Sequence, residues 1–104
     1  MAQAEIQPGI CGFTTTVDVY KTGVRSCSLT VKSDCSHIQE LAAKLTELDP
    51  FREISFRGDG PAVFRAAAKT LPHPSCPVPV GIIKAIEVES GLALPRDVEI
   101  RLDK

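Results

Sequence analysis

The 104-residue chain is predicted to fold as an α+β domain, with a mainly antiparallel sheet packed on about three helices. Two patterns predict this class. Residues 13–31 alternate apolar and polar side chains with the period of two that half-buried strands show. Later segments repeat apolar residues at helical spacing, and clusters of proline and glycine separate them. The length suits a single domain spanning residues 1–104.

The first predicted element is an N-terminal β-hairpin that turns at Lys21-Thr22-Gly23. A three-residue loop that ends in a left-handed glycine is common in hairpins. This turn sets Val17 opposite Cys27 and Cys11 opposite Ser33. It also collects nearly all apolar side chains on one face, which we expect to be buried. The members of that face are Phe13, Val17, Val19, Cys27, Leu29 and Val31.

Helical periodicity predicts three helices after the hairpin. The first has Ser36 as the N-cap of a capping box, and its apolar stripe runs to Leu48. The second begins at Pro61, since proline suits the first helical position. The third covers about residues 80–90 and ends at Gly91, which is expected to be a left-handed C-cap.

Alternation also predicts strands outside the hairpin. A short middle strand is expected at residues 53–57, and a C-terminal strand at 97–104. In the C-terminal strand, the inward residues are Val98, Ile100 and Leu102. A further strand is expected at residues 5–7.

Composition excludes several classes of function. The formal net charge is −1, no basic stripe is present and tryptophan is absent, so a nucleic-acid partner is not expected. No stretch approaches the roughly 20 apolar residues that cross a bilayer, and the N-terminus does not resemble a signal peptide. The sequence therefore predicts a cytoplasmic protein with no membrane partner.

The four cysteines carry the chemistry that the sequence singles out. In a cytoplasmic chain they are expected to be reduced, metal-bound or redox-active. The predicted hairpin and helix starts bring Cys11, Cys35 and Cys76 near one another. Cys27 falls on the core face, about 20 Å along its strand from that end. His73, three residues before Cys76, is a candidate fourth ligand, and His37, two residues after Cys35, is another.

Two hypotheses follow. The chain is either a small metal-binding protein, with zinc or an iron–sulfur cluster, or a cofactor-free structural or interaction module, such as a homodimer, whose cysteines are packing residues. No CxxC pair, carboxylate dyad or phosphate loop is present, so an enzyme is not favoured. A thiol enzyme using Cys35 or Cys76 is a third alternative. Because a helix N-terminus stabilises a thiolate, we expect the pKa of Cys76 to lie below about 8.5.

Three segments together resemble a family of small uncharacterised proteins of anaerobic bacteria and archaea, a domain of unknown function. These segments are Pro8-Gly9-Ile10-Cys11-Gly12-Phe13, Ser33-Asp34-Cys35 and Cys76-Pro77-Val78-Pro79. The similarity covers nearly the whole chain. It implies a cytoplasmic, anaerobic setting and no particular activity. Such a setting implies reduced thiols and suits an iron–sulfur site.

Overall fold

The computed structural model describes residues 1–104 and contains a four-stranded antiparallel sheet with four helices. The sheet order is β1-β2-β3-β4, so each strand pairs with its neighbour in sequence. Helices pack against the sheet, which confirms the α+β class. In chain order the elements are β1 (Ala2–Ile6), β2 (Thr15–Gly23), β3 (Ser26–Lys32), α1 (Ser36–Ala43), β4 (Glu47–Leu48), α2 (Pro50–Glu53), α3 (Ala62–Thr70) and α4 (Val78–Glu89).

The register of the β2–β3 hairpin differs from the prediction by four residues. Val17 pairs with Val31, whereas a turn at Lys21-Thr22-Gly23 would set it opposite Cys27. The strands instead continue through that segment, which contains a β-bulge, and the chain reverses at Val24-Arg25. Because side chains alternate with a period of two, a shift of four residues leaves every side chain on its predicted face.

The predicted apolar face of the hairpin is therefore confirmed, except at its first residue. Phe13 is 43% exposed. It lies outside the sheet, since β2 begins only at Thr15 and residues 9–12 form a turn closed by a backbone hydrogen bond. The other members of the face are buried in the core or pack against it half-buried: Val17, Val19, Cys27, Leu29 and Val31.

Helix α1 is shorter than predicted and is capped differently. Its N-cap residue is Cys35, and Ser36 is already helical. The predicted capping box is not formed, because the side-chain amide of Gln39 donates to the backbone carbonyl of Ser33 at 2.8 Å. The helix ends well before Leu48, whose side chain is still buried because it lies in strand β4.

The predicted middle strand at residues 53–57 is wrong. The short strand of this region is β4, and Glu53 belongs to helix α2. The Glu53 carboxylate is buried and accepts hydrogen bonds from the backbone N–H groups of Ala62 and Val63, at 3.0 and 2.9 Å. A carboxylate in this position satisfies donors that the first turn of a helix leaves unpaired, so Glu53 caps α3.

The C-terminal strand predicted at residues 97–104 is not formed within the chain. Gly91 ends α4 in the left-handed conformation, with φ +73°, as predicted. Residues 91–104 are then exposed and belong to no helix or strand. Alternation indicates a side-chain pattern suited to a sheet, but a strand forms only where a neighbour supplies backbone partners.

Helix α4 packs across β1 and β2, and contacts at its two ends fix its direction. A Cβ atom added to Gly81 would lie 2.5 Å from both Cγ1 and Cδ1 of Ile6, so helix and strand touch closely there. At the other end, the Glu89 carboxylate accepts from the Lys21 backbone N–H at 2.9 Å and pairs with the Met1 amine at 3.3 Å. The helix therefore starts beside the last residue of β1 and ends beside the first.

We expect Gly81→Ala to destabilise the protein by on the order of 1–3 kcal/mol, because the added methyl group overlaps Ile6. In an open helical position the same change would be stabilising by roughly 0.5–1 kcal/mol. Urea unfolding followed by circular dichroism measures the difference. Ile6→Val removes Cδ1, one of the two atoms that the new methyl group overlaps. The stability lost through Gly81→Ala should therefore be smaller in the Ile6→Val background. An equal loss in both backgrounds would contradict the proposed overlap.

We expect Glu89→Gln to destabilise the protein by about 1 kcal/mol at neutral pH. The Lys21 N–H first, and then the Met1 amine, lower the pKa of Glu89 in the folded chain, against a smaller opposing effect of burial. A lowered folded pKa means that the stabilisation is fully present above the ordinary glutamate range, about 4.3, and is lost as pH falls through the folded value. Denaturation curves of both proteins should converge in acid. A difference that persists there would argue against an ionic contribution.

Candidate functional site

Three of the four cysteines lie at one end of the sheet, where β1 finishes and β2 begins. Cys11 lies in the loop that joins these two strands, and Cys35 follows β3. Cys76 precedes α4, whose first half packs on Ile6 at this same end. This region, defined by Cys11, Cys35 and Cys76, is named the thiol end. These three thiols come from three separate parts of the sequence.

Two hydroxyl groups hold Cys35 in place. The buried Thr15 hydroxyl donates to Oγ of Ser33 at 3.0 Å, and that oxygen accepts from the Cys35 N–H at 3.2 Å. The predicted alignment of Cys11 with Ser33 is wrong, because Thr15 occupies that position. Cys11 lies farther along, in the turn at residues 9–12, and is exposed.

Cys76 ends a tight turn inside the proline-rich segment. Its backbone N–H donates to the carbonyl oxygen of His73 at 3.3 Å, and its side chain packs half-buried against the core. A cleft of about 310 Å³ opens beside it, and Phe64, Leu71 and His73 are among the residues that line it. The proline-rich segment thus brings both Cys76 and His73 to this cleft.

The prediction of a lowered pKa for Cys76 is wrong. Burial raises the pKa of this thiol above its ordinary value, and a hydrogen bond from the Val78 N–H lowers it by less. Charge repulsion by Cys11 and Cys35 raises the pKa of Cys76 further. Removing the thiolate from water therefore outweighs the favourable field at the start of α4.

The thiol end does not form a finished coordination shell. No group of three or more histidine, cysteine, aspartate or glutamate side chains is arranged to hold a metal ion. The four residues predicted as ligands, Cys11, Cys35, Cys76 and His73, do not form such a group.

Cys27 lies apart from the other three cysteines. It pairs with Lys21 across the hairpin and is fully buried in the core. Burial raises the pKa of its thiol, and the negative charge of Glu53 adds to the effect. A buried, protonated thiol is unreactive, which agrees with its predicted role as a packing residue.

A second concave surface was not anticipated from the sequence. An open groove of about 1070 Å³ runs along α2, the following loop and the start of α3, and Arg52, Arg57 and Arg65 line it. Beside it, the exposed Phe56 ring stacks on Phe64 with centroids 5.9 Å apart. Acidic residues also line the groove, so it lacks the single-sign charge of an anion site. In the sequence, this region shows only two phenylalanines among dispersed arginines. Composition alone does not distinguish that pattern from an ordinary protein surface.

Comparison with known proteins gives a family without an assigned role. A family model described as "Family of unknown function (DUF6951)" matches residues 2–102. No curated protein and no solved structure matches the chain. None of the four helices has the length and apolar character needed to cross a membrane.

We expect Cys27→Ala to destabilise the protein by on the order of 1 kcal/mol or more, since it removes a fully buried sulfur and leaves a cavity. Thermal or urea unfolding measures the loss. The rates at which the other three thiols react with an alkylating agent should not change under native conditions. Altered rates in a folded variant would contradict the separation of Cys27 from the thiol end.

Proposed function

The chain belongs to the family of unknown function whose model it matches, and we propose that it is a small metal-binding protein that holds zinc or an iron–sulfur cluster at the thiol end. The observation that carries this proposal is the convergence of Cys11, Cys35 and Cys76 from three distant parts of the sequence. The fourth cysteine is left in the core. Packing needs alone do not explain why the fold would gather three thiols, one of them exposed, at one end.

The donor set suits these metals. Cysteine thiolates bind zinc and iron–sulfur clusters, and four ligands complete either shell. His73 is the candidate fourth ligand, because its carbonyl accepts from the Cys76 N–H and its exposed side chain lies in the same turn. A ligand from outside the chain is the alternative. Three protein ligands with one open position are typical of catalytic zinc sites.

Helix termini support thiolate ligands here. Cys35 is the N-cap residue of α1, and Cys76 lies just before α4. Each helix N-terminus carries roughly half a positive charge, which favours the anionic form of a nearby ligand. A metal ion would supply the larger charge and displace the thiol proton, which burial alone retains on Cys76.

Closing the shell requires movement of the loop that carries Cys11. This loop contains two glycines in the left-handed conformation, Gly9 and Gly12, and its backbone hydrogen bonds are local. Cys35 and Cys76, in contrast, are anchored to the core. We therefore propose that metal binding draws Cys11 inward toward the other two. A reducing, cytoplasmic and anaerobic setting would keep the three thiols available.

The cofactor-free module is the second candidate. The half-buried packing of Cys35 and Cys76 against the core favours it, since small sulfur side chains also serve simply to fill space. In that account the exposed Cys11 has no role, and substituting it leaves every property of the isolated protein unchanged.

We expect protein purified without oxygen to contain stoichiometric zinc, or iron with visible sulfur-to-iron absorption. Single substitutions Cys11→Ser, Cys35→Ser and Cys76→Ser should each remove most of the metal, while Cys27→Ala retains it. His73→Ala should weaken binding if the histidine is a ligand. Elemental analysis and absorption spectra of the folded variants measure these outcomes. A wild-type protein that takes up neither zinc nor reconstituted iron and sulfide would favour the cofactor-free module.

The pH dependence of zinc binding gives a further test. Because burial raises the pKa of Cys76, its proton must be displaced when metal binds, so apparent affinity should increase as pH rises through the neutral range. Competition with a chromophoric chelator measures the affinity. In Cys76→Ser, any residual binding should vary less with pH. An identical slope in both proteins would exclude Cys76 from the ligand set.

A further inference from the structure

We propose that residues 97–104 form a β-strand on the open edge of β1 in a second copy of this chain, so that two copies exchange their C-terminal strands. The proposal rests on two unpartnered features of the fold. One is a C-terminal segment with a strand's side-chain pattern and no strand partner. The other is an edge strand with unpaired backbone groups beside the point where that segment emerges.

The C-terminal segment has one apolar face and one charged face. Its apolar row consists of Val98, Ile100 and Leu102, which are 62%, 78% and 91% exposed. Charged residues occupy the positions between them. Isolated apolar side chains on a surface are ordinary. A regular row of three at strand spacing instead indicates a binding surface.

Strand β1 offers the matching backbone. It pairs with β2 on one side and forms one edge of the sheet on the other. Residues 2–6 make no backbone hydrogen bonds outside that pairing. An unpaired edge is a template for an additional strand, and adding one is a common mode of segment recognition.

Side chains along the core side of the β1 edge fit an added strand in size. The core-side residues are Ala2, Ala4 and Ile6, and the two alanines leave space for larger side chains on a neighbouring strand. The outward side carries Glu5. A strand that turns its apolar row toward the core presents its charged residues, three acidic and one basic, on the outward side, so apolar contact on the core side rather than charge favours the pairing.

The end of α4 directs the C-terminal segment to this edge. The Leu92 N–H donates to the Glu87 carbonyl at 2.8 Å, and the left-handed Gly91 donates to Val88 at 3.2 Å, so the helix cap fixes the direction in which the chain leaves. Glu89 lies against Met1, which places this exit beside the first residue of β1. The opposite edge of the sheet is three strand spacings away, about 14 Å.

A second copy is the occupant that these features favour. Within one chain, the segment leaves α4 beside the first residue of β1, and residues 97–104 still remain unpaired beyond the stiff Leu94-Pro95 step. In a two-fold dimer, residues 97–104 of each copy pair with the β1 edge of the other copy. One contact of this kind gives partners to the unpaired segment and the unpaired edge of both copies. It needs no partner beyond this chain.

The test is the mass of the full chain in solution, measured by light scattering and sedimentation. We expect twice the 11.2 kDa of one chain. Ile100→Asp places a charge in the apolar row and should weaken association by about 100-fold or more, giving a monomer. Glu99→Gln, on the other face of the same segment, is the matched control and should remain a dimer. Because residue 100 is exposed in the isolated chain, circular dichroism and the melting temperature of the monomeric variant should still show a folded protein.

Amide hydrogen exchange identifies the edge that is used. Amides of residues 98–102, and those of β1 that point away from β2, should exchange about tenfold more slowly in the dimer than in Ile100→Asp. Three results would overturn the proposal: a wild-type monomer at every accessible concentration, a dimer that survives Ile100→Asp, or a monomer whose C-terminal segment is already protected. The last would mean that the segment pairs with its own β1.

Discussion

The close contact between α4 and the sheet determines most of the remaining architecture. Gly81 allows the helix to approach Ile6 more closely than any side chain would permit, and Glu89 holds the opposite end of the helix against Met1 and Lys21. With both ends fixed, the residues before α4 must lie at the far end of β1, and the residues after it must leave beside the first residue of that strand. The positions of the thiol end and of the C-terminal segment both follow from this one helix.

The chemistry of the thiol end is a balance between burial and charge. Cys76 is anchored by packing against the core, and that same burial favours its protonated form. Helix N-termini beside Cys35 and Cys76 act in the opposite direction but contribute less at Cys76. A thiol held like Cys76 reacts slowly with electrophiles at neutral pH and yet can bind a cation that replaces its proton. This contrast with an activated nucleophile favours a metal-binding role over thiol catalysis.

The sequence was informative wherever one local pattern dominated. Period-two alternation assigned the faces of the hairpin, and Gly91 was predicted as a left-handed cap, because both depend on a few adjacent residues. The hairpin register was not predictable from Gly23, since the strands continued through the favoured turn. Likewise, Leu45 and Leu48 extend the helical stripe of α1 but are buried beyond its end, as burial requires only that they reach the core.

The site prediction failed for electrostatics. Helix starts and strand ends show which element each cysteine adjoins, but not how deeply each sulfur is buried. The direction of the pKa shift at Cys76 depended on how deeply its sulfur is buried, which a linear pattern does not report. The arginine-lined groove was missed for a related reason. Its residues become neighbours only because Glu53 folds the loop at residues 54–61 back onto α3.

The contact between the Glu53 side chain and the start of α3 affects how the preceding loop can vary. The Glu53 side chain links the two ends of this loop by accepting hydrogen bonds from Ala62 and Val63, and one backbone hydrogen bond, from the Gly60 N–H to the Arg57 carbonyl, closes a turn inside it. Lengthening a loop whose ends are already fixed costs little, roughly 0.6 kcal/mol for each doubling. Relatives can therefore drift in the length and composition of this loop while α3 stays in place, provided that a carboxylate is retained at residue 53. Changes in this loop would then reshape the groove without displacing α3.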